Sequence, residues 1–208
     1  ETISGVGSLK TIRGKFVMNN NKLLKTITGF NALETIRGYF SIIINETLET
    51  ISGFNALETI GEYFTISNNK SLITIPGFNA LKTISEYFAI GSNFKLETIS
   101  GFKMLESVEG EFSIVNNTEI KTIEGFLKLE SIGKLTIIGD FYGYFYINNN
   151  NGLETILGFI SLETIIGNFF IRDNNNLETI SGFTSLETVG RNLNIITNPI
   201  ISAKIKGN

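Results

Sequence analysis

The sequence predicts an all-β protein built as one parallel solenoid of eight coils, each about 24 residues long. Three observations predict it. Leu24, Leu48, Leu72, Leu96 and Ile120 follow one another at a spacing of 24, and Leu153 and Leu177 resume the spacing after one interruption. The recurring residues are Ile, Thr, Phe and Tyr, all formers of extended chain. No window sustains an apolar period of 3.6, and glycines recur inside each unit where a helix would not tolerate them.

With each of those leucines set at position 0, the unit reads L-E-T-I-x-G-F-x-x-L-E-T-I-x-G-x-F-x-I-x-x-N-x-x. The first L-E-T-I places two apolar residues three apart, which suits a bend with Leu and Ile turned inward and Glu and Thr outward. Glycine at position 5, from Gly5 to Gly182, suits a corner needing positive φ. A second L-E-T-I repeats the bend. The F-x-I segment alternates apolar and variable residues, as a half-buried strand does. The unit closes on Asn21, Asn45, Asn69, Asn93, Asn117, Asn150, Asn174 and Asn198. Stacked one above another, these asparagines can satisfy buried backbone groups of the turn, a structural ladder rather than a ligand site.

Residues 1–208 therefore form one domain. The first copy begins inside a coil. The sixth carries nine extra residues between Gly133 and Tyr144. The last degrades after Asn198 into 199–208, a partial cap or the start of another coil.

The segment Phe40-Ser41-Ile42-Ile43-Ile44-Asn45-Glu46-Thr47-Leu48-Glu49-Thr50-Ile51 resembles the strand-and-Asn core of leucine-rich repeats. The longer unit, with G-F-x-x-L-x-x-I-x-G after it, is more similar to the receptor L-domain repeat. That resemblance implies a right-handed β-helix with little or no helix, and recognition outside the cell. The chain departs from it in lacking Cys and Trp and in its regularity.

Composition narrows function. Hydrophobic residues make up 42% and charged residues 18%, with a net charge of −3 and no Cys or His. No basic run suggests nucleic acid, and no run of 18 apolar residues suggests a membrane span. Asp140, Asp173, Arg172 and Arg191 are too few and too scattered to compose a catalytic site, so no enzyme, metal or cofactor is expected.

Four surfaces are candidates for function. The outward strand face carries Tyr39, Tyr63, Tyr87 and Tyr144 in one column, Tyr146 and Phe170 in the next, and Ile43, Val115 and Ile196 as further apolar area. Aromatic anchors in register suit a partner; a stack that only shields the sheet is the alternative. The insertion, with Asp140, Phe141 and Tyr142, is the one irregular loop. Two threonine columns, at positions 2 and 11, resemble ice-binding arrays but run beside charged columns. The glutamates of those columns, interrupted by Lys10, Lys25, Lys82 and Lys121, could bridge calcium, although a solvated charged edge accounts for them. Asn45, Asn69 and Asn116 lie in N-x-[ST] sequons, two of them in the ladder column and so expected to be buried. The expected function is a non-catalytic binding or adhesion module, extracellular or at the cell surface, for a protein or glycan ligand. The alternatives are a structural spacer or subunit of a larger assembly, and ice binding.

Overall fold

The computed structural model describes residues 1–135 and 141–201. Each coil contributes three strands, and each strand pairs in parallel with its equivalents in the neighbouring coils. Three eight-stranded parallel sheets result. The first collects the two-residue strands from Thr2–Ile3 to Thr179–Ile180, the second those from Thr11–Ile12 to Thr188–Val189. The third collects the four-residue strands from Phe16–Asn19 to Leu193–Ile196. The L-E-T-I segments thus carry short strands rather than simple bends: their Thr-Ile pairs are long enough to pair with the coils on either side. Like residues face like, as in Phe64↔Phe88↔Phe112 and Ile66↔Ile90↔Ile114.

Alternation along the third sheet sends Phe and Ile inward, and in the central coils both are fully buried. The phenylalanines of positions 6 and 16 form two parallel stacks. Phe54 and Phe78 are 5.1 Å apart and Phe64 and Phe88 5.1 Å, while the two stacks meet edge to face, as Phe64 does with Phe78 at 5.1 Å. Offset and T-shaped pairs are the favoured aromatic geometries, so one repeat spacing satisfies both at once. The core is shared between coils, and no coil buries its apolar residues alone.

Between strands the asparagines form a continuous ladder. The Oδ1 of Asn93 accepts from the Asn69 backbone N–H at 3.0 Å and from Asn69 Nδ2 at 3.4 Å. The Nδ2 of Asn93 donates to the Ile66 carbonyl at 2.9 Å. The same pattern runs from Asn21 to Asn198, and from Asn45 onward these side chains are buried.

One column before the ladder, Asn20, Ile44, Asn68, Ser92, Asn116, Asn149, Asp173 and Thr197 all have φ between 55° and 60°. Asn and Asp tolerate this left-handed conformation best, which explains their frequency there. The glycines of position 5 divide into two groups. Gly29 has φ of 92°, as a corner requires, but Gly101 does not. At Gly101 a Cβ would lie 2.1 Å from the Gly77 carbonyl oxygen, so close stacking of backbones excludes a side chain there.

The nine-residue expansion adds a small antiparallel ribbon, Lys134–Leu135 paired with Phe141–Tyr142. Asp140 lies outside the described residues. Of 199–208, only 199–201 are described: they are helical, and Ile201 is buried against the core.

Candidate functional site

The outward face of the third sheet gathers the aromatic residues, but the tyrosines of its one column do not form a single stack. Tyr39, Tyr63 and Tyr87 stand immediately before their strands and stack face to face, with centroids 4.3 and 4.5 Å apart. Lys15 closes one end of the stack, its Nζ 5.4 Å from the Tyr39 ring centre. At the other end the register places Glu111 between Tyr87 and Tyr144. Tyr144 therefore joins a second cluster. It lies 5.8 Å from Tyr146, which stacks on Phe170 at 5.3 Å, and Arg172 covers Phe170 at 5.2 Å. The shared tyrosine column thus carries two clusters separated by a carboxylate.

Within the first cluster the inner ring faces are consumed by the stack. The rings offer edges and hydroxyls to a ligand, with Tyr87 the most open at 37% exposure. Burial, followed by the neighbouring Tyr39 hydroxyl, raises the Tyr63 phenol well above its ordinary pKa. Burial likewise raises Tyr87 and Tyr146. It also lifts Glu111 above the usual carboxylate range, an effect that a hydrogen bond with Ser113 partly offsets.

Beside the tyrosines runs a strip of small residues, Ser41, Thr65, Ala89 and Ser113. They point outward, yet Ser41, Thr65 and Ser113 are buried because taller side chains flank them. Tyr146 and Phe170 occupy the same strand position in the next two coils and end the strip. Ile43 and Val115 border it, and Ile196 lies in the last coil at 49% exposure. The Asn148 Oδ1 beside Arg172 is buried and has no hydrogen-bond partner.

Register also places the other candidates. The glutamate columns are laced with ion pairs between coils, Lys10–Glu34 at 3.0 Å, Lys82–Glu58 at 2.8 Å and Lys121–Glu154 at 3.2 Å. Among the described residues no group of three acidic side chains is arranged to hold a metal ion. The threonine columns lie on two different sheets, each one residue wide, with occasional contacts such as Thr74–Thr98 at 3.2 Å. Of the sequon asparagines, Asn45 and Asn69 are fully buried, whereas Asn116 is exposed. No helix among the described residues is long and apolar enough to cross a membrane.

A basic cluster was not legible in the linear sequence. Arg13, Lys15 and Arg37 converge at the edge of the strand face, around an open recess of about 350 Å³ that Tyr39 and Glu62 also line. Residues 24 apart meet only once the coils stack; comparing equivalent positions of successive copies is the signal that could have found it.

Fold and surface together define a parallel β-solenoid repeat protein with a partly aromatic outer sheet. Comparison with protein-family models, with curated proteins and with solved structures returns no match for this chain.

Proposed function

We propose that this chain is a non-catalytic binding module that takes an extended glycan or protein segment along the outer face of its four-residue strands. The observation that carries the reading is the placing of two aromatic clusters, Tyr39–Tyr63–Tyr87 and Tyr144–Tyr146–Phe170, around a strip of small residues on one rigid sheet. A sheet spaces such anchors without the ordering cost that a loop would incur on binding. The likeness of the unit to receptor L-domain repeats supports an extracellular or cell-surface setting. The test is a glycan array and a pull-down with the wild type, with Tyr63→Ala/Tyr87→Ala and with Tyr146→Ala/Phe170→Ala. Loss of signal in either double variant supports the reading; an unchanged signal in both removes this face from consideration.

The near-identity of successive coils favours a second reading, a structural spacer within a larger assembly. That reading predicts concentration-dependent association in sedimentation, and a monomer at all concentrations would count against it.

A further inference from the structure

We propose that Arg13 and Arg37 form an anion subsite at the edge of the strand face, and that its ligand is the carboxylate or sulfate of an acidic sugar in an extended polysaccharide. The proposal rests on the binding-face reading and names the ligand class for it.

The two arginines occupy one position in successive coils, and the Arg37 backbone N–H bonds the Ile12 carbonyl at 2.9 Å. Their side chains thus start about one strand spacing apart, roughly 4.8 Å. Neither forms an ion pair with a described residue, although Lys10, Lys25, Lys70, Lys82, Lys121 and Lys134 each pair with a glutamate one coil away. Two unpaired guanidiniums in register repel each other, and a bound anion relieves that repulsion. Guanidinium also presents the planar fork that carboxylate and sulfate oxygens fit. The surroundings reinforce the field: residues 1–48 hold six basic and three acidic side chains, while the rest of the chain is net acidic.

The recess beside the arginines is lined also by Gly14 and Gly38. A Cβ at Gly38 would approach the Gly14 carbonyl oxygen to 2.9 Å, so close backbone stacking demands glycine at Gly38. Lys15 is held over the Tyr39 ring at 5.4 Å and adds positive charge to the wall. Glu62 is the discriminating feature. A carboxylate lining a cationic recess disfavours a ligand that is anionic on every side, and it accepts hydrogen bonds from hydroxyls. A sugar acid supplies both halves: its anionic group faces Arg13 and Arg37, and its hydroxyls face Glu62 and the Tyr39 edge. The recess opens at the Tyr39 end of the stack, and an extended hexose chain repeats at close to the coil spacing, so the polymer can continue past Tyr63 and Tyr87.

The experiment is calorimetric titration of the purified chain with polygalacturonate, dextran sulfate, an uncharged β-glucan and poly-glutamate. It is repeated with Arg13→Gln/Arg37→Gln and with Tyr63→Ala/Tyr87→Ala, all checked for native circular dichroism. The expected result is preferential binding of one or both acidic polysaccharides, the two arms separating carboxylate from sulfate. The arginine variant should weaken this binding about tenfold or more, the worth of a charge-assisted hydrogen bond. An equal fall in β-glucan binding would overturn the anion assignment. Loss in the tyrosine variant alone would overturn the anion subsite and leave the binding face standing. Unchanged binding in both variants would overturn both. Poly-glutamate binding as tightly as the acidic polysaccharides would overturn the saccharide assignment, as would no binding of either acidic polysaccharide by the wild type.

Discussion

Replacing Asn93 by alanine tests the asparagine ladder where it is most deeply buried. The substitution removes the acceptor of the Asn69 backbone N–H and of Asn69 Nδ2, at 3.0 and 3.4 Å, and the donor to the Ile66 carbonyl at 2.9 Å and to Asn117 Oδ1 at 3.4 Å. Asn69 Nδ2 keeps its bond to the Ile42 carbonyl, and Asn117 Oδ1 keeps the Asn93 backbone N–H. The buried Asn69 N–H keeps nothing. An orphaned buried donor costs about 1–3 kcal/mol and each of the three further lost bonds about 1 kcal/mol, so the sum is about 4–6 kcal/mol. For a chain of this length that is a fall in Tm of roughly 8–24 °C. Asn21→Ala is the matched control. Asn21 is exposed, and the Asn45 Oδ1 still accepts the residue-21 backbone N–H at 2.9 Å. Its cost should stay below about 1 kcal/mol, because water replaces what is lost. Urea unfolding followed by circular dichroism and tyrosine fluorescence reads both. A defect in the middle of a stack also weakens the coupling of its two halves, so Asn93→Ala should broaden or split the transition. Equal stability losses in the two variants would refute the ladder's energetic role.

Other outcomes follow from the same geometry. Ile44 is a β-branched residue at φ 59°, in a column otherwise mostly Asn, and Ile44→Asn should stabilise the fold by about 1 kcal/mol in a thermal melt. Gly101→Ala should cost about 1–3 kcal/mol, its Cβ falling 2.1 Å from a carbonyl oxygen, while Gly77→Ala, with nothing nearer than 4.0 Å, should be tolerated; urea midpoints compare them. Glu111 is held above the usual carboxylate range in the folded chain, so it binds more protons folded than unfolded, and its contribution to stability is lost as pH rises through its folded pKa. Glu111→Gln should therefore raise Tm at neutral pH, by an amount that shrinks as pH falls towards the ordinary carboxylate value; a gain independent of pH would sink this assignment.

Much of the coil was legible from one unit. Inward Leu, Ile and Phe repeat because every coil meets the same neighbour, and the asparagine column repeats because each turn leaves the same backbone groups to satisfy. What escaped the sequence were the conformations at particular positions. The Gly5 column looks uniform, yet Gly29 serves a positive-φ corner and Gly101 a close backbone approach. The left-handed column holds Ser92 and Ile44 among asparagines, so its common cause was hidden by mixed residue types.

The sequence by itself determined the architecture, because translation by 24 residues becomes translation along one axis, and each inward residue then needs only its own copy as a partner. It did not determine the surface. Outward residues have no such symmetric requirement, so their meaning lies in which unlike neighbours the register sets side by side. The stacked structure turned such shared positions into contacts: Glu111 between Tyr87 and Tyr144 divides the aromatic stack in two, and Arg13 and Arg37 come to line one recess.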